Sequence, residues 1–261
     1  MRTAAVTAAK GEIALVDETA VAGAGAVRVL VVLAHPDDPE FFCGATIAQW
    51  AAEGREISYC LLTRGDKGAD EQGVDPQWLS GKREEEQRAA ARVLGVKDVT
   101  FLNYPDGYLT PDLALRKDIV RVIRKVRPDI VVTGDPTNFF PSDRYINHPD
   151  HRAAGQAALD AVFPAAGSAL FFPELAEKEA LAPHKVSQVY VAIPEHPNTI
   201  VDVTRFIDRK LEALRRHSSQ IGSGEEAERV LASVRKRMLD VASPPDAPRY
   251  VERFRRIDMS Q

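Results

Sequence analysis

Only two of the 261 residues are cysteine, Cys43 and Cys60, and both stand among apolar neighbours. That excludes a disulfide-stapled scaffold and reads as two buried, reduced thiols, so the expected compartment is the cytoplasm. No run approaches the roughly 18 apolar residues needed to span a bilayer. Residues 1–26 hold Arg2 and Lys10 as their only bases and alternate small and acidic side chains, unlike a secretory signal. No block of basic residues offers a nucleic-acid footprint, and the formal net charge is −4. Repeats and low-complexity linkers are missing too. What remains is an ordinary globular composition, 44% hydrophobic and 28% charged, long enough for one large α/β domain or two small ones. A small molecule is the expected partner.

The chain is organised around VRVLVVLAHPDDPEFFCGATIAQW, residues 27–50. Val27 to Leu33 reads as a strand buried on both faces, and a helix follows from about Gly44. Further strands are expected at Ile57–Leu62, Val99–Leu102, Asp129–Val132, Gln188–Ile193 and Thr199–Val203, with a short one near Glu12–Val16. Helices are expected at Trp78–Leu94, capped by Gly95, from Pro111 with Leu115, Ile119, Val122, Ile123 and Val126 at helical spacing, and after HPDH at 148–151. Two more run from about Arg205 to Arg216 and from Gly224 to Leu239, before a last strand or turn in YVERFRRI. After Pro164 the chain reads as irregular. Alternation of strand and helix predicts a single-domain, Rossmann-like sandwich: a mostly parallel sheet with helices on both faces.

Two clusters carry potential chemistry. His35 and Asp38 follow the first core strand, and His148 and His151, three apart at a helix start, project from one face. Each cluster follows a predicted strand, so both belong at the carboxyl edge of the sheet, where ligands bind in open α/β folds. Two histidines and one carboxylate with an open fourth position make a hydrolytic zinc arrangement. The bland alternative is that His35 and His151 cap helices and the aspartates are turn residues. Asp37, beside the ligand candidate, suits a supporting or general-base position, and whichever histidine of the second pair does not bind could meet an oxyanion.

AHPDD after a hydrophobic strand, CGATIAQWAAEG behind it and HPDHRAAG further on resemble the LmbE/PIG-L family of zinc-dependent N-acetylglucosaminyl deacetylases. TRGDKG, REEEQRAAARVLGV and NYPDGYL extend the likeness over about residues 27–160. The resemblance implies one Zn2+ per subunit held by His35, Asp38 and His151, with Asp37 as general base, His148 at the oxyanion and Asp150 orienting His148. It implies sugar contacts from Asp106 and from Arg64 and Asp66. Residues 1–26, poor in large apolar side chains, read as an N-terminal extension; a deacetylase domain is expected over 27–261, with its core at 27–162, and the region at 163–261, which carries no family motif, is expected to shape substrate choice and subunit contacts. The branch that places a tyrosine two residues before HPDH is not matched, since Ile146 stands there and Tyr145 one residue back. The INHPDHRA context resembles the chitobiose and glucosamine deacetylases more. The expected reaction is hydrolysis of an N-acetyl group to acetate and free amine. The rivals are an amidase of sugar-linked thiol conjugates and a non-catalytic sugar-binding relative. The apolar, proline-broken stretch at 164–200 suggests a homo-oligomer, and Phe139-Phe140 a sugar-stacking wall.

Overall fold

The computed structural model describes residues 14–15, 26–69 and 72–259. The expected extension over 1–26 falls almost wholly outside them, apart from the two-residue strand β1 (Ala14–Leu15) and Ala26. The other strands are β2 (Arg28–Leu33), β3 (Glu56–Thr63), β4 (Asp98–Tyr104), β5 (Ile130–Gly134), β6 (Gln188–Ala192), β7 (Thr199–Asp202) and β8 (Val251–Asp258). They form one sheet in the order β1-β7-β8-β6-β5-β2-β3-β4. All neighbours pair in parallel except β8, which runs antiparallel to both β6 and β7. The YVERFRRI segment is therefore an interior strand.

From β2 the chain steps outward to β3 and β4, then returns to place β5 on the other side of β2 and β6 beyond it. That reversal opens a crevice at the carboxyl ends of β2 and β5. Side chains of β2 alternate between two cores: Val29, Val31 and Leu33 face one, Leu30 and Val32 the other. A strand buried on both faces needs the near-continuous apolar run this one has. The helices α1 (Asp38–Ala52), α2 (Pro76–Leu94), α6 (Ile207–Leu214) and α8 (Gly224–Met238) pack on the first face, with the short α7 (Ser218–Ile221). On the second face lie α3 (Leu113–Val126), α4 (Pro149–Asp160) and α5 (Pro173–Glu179).

Three local departures have physical causes. Pro111 precedes α3 because Asp112 is its cap, accepting from Leu115 N at 2.8 Å. The stretch after Pro164 is ordered: buried Arg124 donates to the carbonyls of Ala165, Ala166, Ser168, Phe171 and Phe172, and α5 follows. Finally, α1 breaks at Cys43 (φ −147°), so its regular part begins at Gly44 and a single turn, Asp38–Phe42, precedes it. The groups freed by the break are taken by a buried ion pair from the far end of the chain. Lys210 Nζ donates to Phe41 O at 2.8 Å and to Glu252 at 2.7 Å, while Glu252 accepts from Ala45 N and Thr46 N. Cys43 and Cys60 are buried and free. Among the described residues no helix is long and apolar enough to cross a membrane.

Candidate metal centre and its cavity

The site starts where β2 ends. Consecutive side chains of a strand or helix diverge, yet Asp37 and Asp38 line one cavity. Asp37 manages this with φ 90°, a left-handed backbone that is uncommon outside glycine and costs on the order of 1–3 kcal/mol. The turn is pinned: Asp37 N donates to Gln87 Oε1 at 2.8 Å, and Arg83 Nη2 donates to Pro36 O at 2.7 Å and to Asp37 Oδ2 at 3.3 Å. His35 N donates to Asp38 Oδ2 at 2.8 Å, closing the loop.

The second cluster arrives with α4, whose Gly155 packs against the end of β5. A Cβ there would sit 2.4 Å from Gly134 O, so only glycine lets the helix approach this closely. The approach sets His151 Nε2 3.0 Å from Asp38 Oδ1. Ligand atoms of His35, Asp38 and His151 lie within 4.8 Å of one another, as do those of His35, His148 and Asp150. The first group faces the cavity. In the second, Asp150 is already occupied: Oδ2 accepts from Gly107 N at 2.7 Å and lies 3.3 Å from His35 Nε2, and Oδ1 accepts from Leu109 N. His148 Nδ1 in turn accepts from Asp150 N at 3.1 Å.

Outer partners orient both ring ligands, as metal-binding imidazoles require. His35 Nε2 meets Asp106 Oδ1 at 3.0 Å as well as Asp150, leaving Nδ1 toward Asp38. His151 Nδ1 meets Asn147 Oδ1 at 3.0 Å, leaving Nε2 toward the cavity. The donor set of two imidazoles and a carboxylate suits zinc or another first-row dication. Its charge suits one too. Burial alone would discharge His35, but hydrogen bonds to Asp106, Asp150 and Asp38 push its pKa up to about 12. Carboxylates gathered this densely demand positive charge, and a bound dication would supply it.

Asp37 is pushed up to about 6, by burial first and by Asp38, against the pull of Arg83. A carboxylate tuned toward neutrality can act as a base. His148 is pulled down, by burial and then by the His35 and His151 rings. Because its Nδ1 accepts a backbone N–H, the neutral ring carries its proton on Nε2.

The cavity, about 520 Å³, is lined by Phe41 and Phe42 from α1, Pro141, Ser142 and Tyr145 from the loop after β5, Ile193 after β6 and Arg237 of α8. Tyr145 thus reaches the cavity from one residue behind the position two before HPDH, where Ile146 stands exposed to solvent. Asp150, Asp106, Asp66 and Arg64 each meet partners within the protein. Asp150 N donates to His148 Nδ1, and its carboxylate meets His35 while also acting on the nearby His148 ring. Asp106 is buried on His35 and Lys67 N, with Asp66 Oδ1 accepting from Asp106 N. Arg64 pairs with Glu84 at 2.7 Å. None of these three lines the cavity. Four residues of the site have a role that the motifs named above do not assign: Arg83 and Gln87, whose spacing of four on α2 sets both on one helix face, together with Asn147 and Arg237.

The chain matches the family described as GlcNAc-PI de-N-acetylase over residues 30–162. It is 36% identical over 196 residues to a diacetylchitobiose deacetylase of Thermococcus kodakarensis, covering 74% of this chain and 70% of that protein. The solved N,N'-diacetylchitobiose deacetylase of Pyrococcus horikoshii superposes with a TM-score of 0.79 at 31% identity, covering 89% and 84% of the two chains. This chain belongs to the PIG-L (LmbE) family. The fold also accommodates other chemistry: 4-carboxy-2-hydroxymuconate hydratase of Pseudomonas putida shares it at 23% identity, with a TM-score of 0.68 over 90% of this chain and 98% of that one.

Proposed function

We propose that this protein is a zinc-dependent hydrolase that removes the N-acetyl group from an N-acetylglucosamine-containing small molecule. The observation that carries the reading is the convergence of His35, Asp38 and His151 beside the strained Asp37 on one cavity. Two of the relatives are named for diacetylchitobiose and others for an N-acetylglucosaminyl malate or inositol, so what they share is the N-acetylglucosamine unit rather than its aglycone. When bound, the cation supplies Lewis acidity, polarising the acetyl carbonyl and making water more acidic.

The protein's own groups do the rest. Asp37 takes a proton from the water that attacks the carbonyl carbon, and later returns it to the departing sugar nitrogen. His148 Nε2–H donates to the oxygen that gains charge in the tetrahedral state. Asp106 and Asp150 hold the His35 ring, and Asn147 holds His151. Arg83 keeps the Asp37 carboxylate in place. Water enters, the C–N bond breaks, and acetate and a free amine leave. Arg64 and Asp66 remain candidates for sugar contact only through the loop they share with Lys67. Homo-oligomerisation over the exposed Phe163 and Leu170 belongs to the same proposal, and sedimentation velocity reads it. So does a cytoplasmic location, which the two free thiols favour.

Acetate release from N-acetylglucosamine, N,N'-diacetylchitobiose and a sugar-linked thiol conjugate, assayed before and after chelation and zinc restoration, is the test. Turnover of the first two that follows the metal supports the reading. A zinc-loaded protein that binds these sugars without releasing acetate would be the sugar-binding relative instead.

A further inference from the structure

We infer that Gln87, fixed from behind by Glu40 and His217, is the positioning residue for Asp37, an inference that rests on the proposed deacetylase reaction. Three polar side chains lie at 0% exposure directly beneath the catalytic turn, and the proposed chemistry uses none of them: Glu40, Gln87 and His217. They form a single chain of hydrogen bonds that ends on the backbone of the proposed base. Asp37 N donates to Gln87 Oε1 at 2.8 Å, Gln87 Nε2 donates to both carboxylate oxygens of Glu40 at 3.0 Å, and His217 Nε2 meets Glu40 Oε2 at 3.1 Å.

The order of the groups dictates the amide's orientation. Flipped, Gln87 would set its oxygen against a carboxylate and its NH2 against an N–H, so acceptor would face acceptor and donor would face donor. Glu40 therefore forces Oε1 toward Asp37. That oxygen in turn receives the one Asp37 donor whose direction the left-handed backbone decides. A relaxed turn would point the N–H elsewhere and swing the carboxylate out of the cavity it shares with Asp38. Arg83 holds that carboxylate at one oxygen only, which fixes its distance and leaves its heading to the backbone. His217 stands 177 residues beyond Glu40, so the C-terminal region sets the heading of a side chain in the first motif.

The zinc-loaded full chain and its Q87L, H217L and H217Q variants test this. Q87L removes the acceptor for Asp37 N–H, and we expect kcat to fall roughly 10–100-fold, as for partners of catalytic ligands. KM and zinc content should stay at the parent values. H217L should show a smaller fall with the same split, and H217Q, whose amide still donates to Glu40, should recover most of it. Equal losses in H217L and H217Q, or a loss carried by KM or by zinc content, would mean the trio only knits the helices together. Parent kcat in a folded Q87L overturns the inference outright. A crystal structure of Q87L, or of H217L if Q87L does not fold, reads φ of Asp37 without any substrate. A turn still left-handed there refutes the positioning role even if no acetyl sugar is turned over, whereas absent turnover in the parent refutes only the deacetylase reading.

Discussion

The two ends of the cavity are built on opposite plans. At the inner end His35, Asp38 and Asn147 are buried, and each polar atom facing the metal position has a partner behind it. At the outer end Tyr145, Ile193 and Arg237 are exposed, and Arg237 makes a long 3.4 Å contact to Ser233. One end is over-determined and the other is held loosely. Such a division lets the reaction stay fixed while the wall that meets the rest of the substrate can change.

The sharpest way to break the contrast is to remove a ligand. His35→Ala, Asp38→Ala and His151→Ala should each lose zinc and with it all measurable turnover, and elemental analysis of the purified variants decides it. Full zinc in all three would dissolve the inner end as described. Next come the groups proposed to act beside the metal. Asp37→Asn should keep zinc and lose about 10²–10⁴ in kcat, because an amide cannot take the proton. His148→Ala should keep zinc and lose about 10²–10³, with KM little changed, because it meets charge that exists only in the transition state. Zinc loss in His148→Ala would make it a ligand.

The inner end also predicts a pH dependence. His35 has its pKa raised in the folded, metal-free protein, so its pairing stabilises the fold fully below the ordinary value near 6.5 and is lost as pH climbs toward about 12. The Tm of chelated protein should therefore fall between pH 7 and 9 relative to zinc-loaded protein, whose His35 must already be deprotonated. Parallel curves for the two forms would show that His35 does not compete with the metal for its proton. Gly155→Ala tests how tightly the two halves are joined. Its Cβ would collide with Gly134 O, and overpacking of this kind costs about 1–3 kcal/mol. Zinc affinity should weaken along with Tm, since α4 carries His151. The smallest effect belongs to the outer end: Tyr145→Ala should alter KM a few-fold, and a kcat loss as large as that of His148→Ala would place Tyr145 among the reacting groups.

How much of this was legible beforehand follows from range. The parallel core and the ligand clusters sit in local patterns, because a doubly buried strand must be apolar and its carboxyl end must turn. Asp37 could be singled out by its neighbour, but not its left-handed backbone, which depends on Gln87 fifty residues away. That Asp106 and Asp150 both meet His35 Nε2 was not legible either, since spacing does not tell which side of an imidazole a carboxylate approaches. The interior place of β8 and the order in 164–172 were hidden for the same reason. Arg124 organises that loop through five carbonyls, and a carbonyl leaves no trace in residue type.

The break in α1 has a bearing on how this chain can be divided. The family match ends at residue 162, and a protein engineer might treat 27–162 as a portable catalytic module. The splice at Cys43 forbids it. A fragment ending there would leave Phe41 O, Ala45 N and Thr46 N bare beneath the Asp38 turn, and Glu40 without His217. Exchanging the last hundred residues with those of a relative should then work only when the incoming segment brings an ammonium, an imidazole and a carboxylate to the places of Lys210, His217 and Glu252.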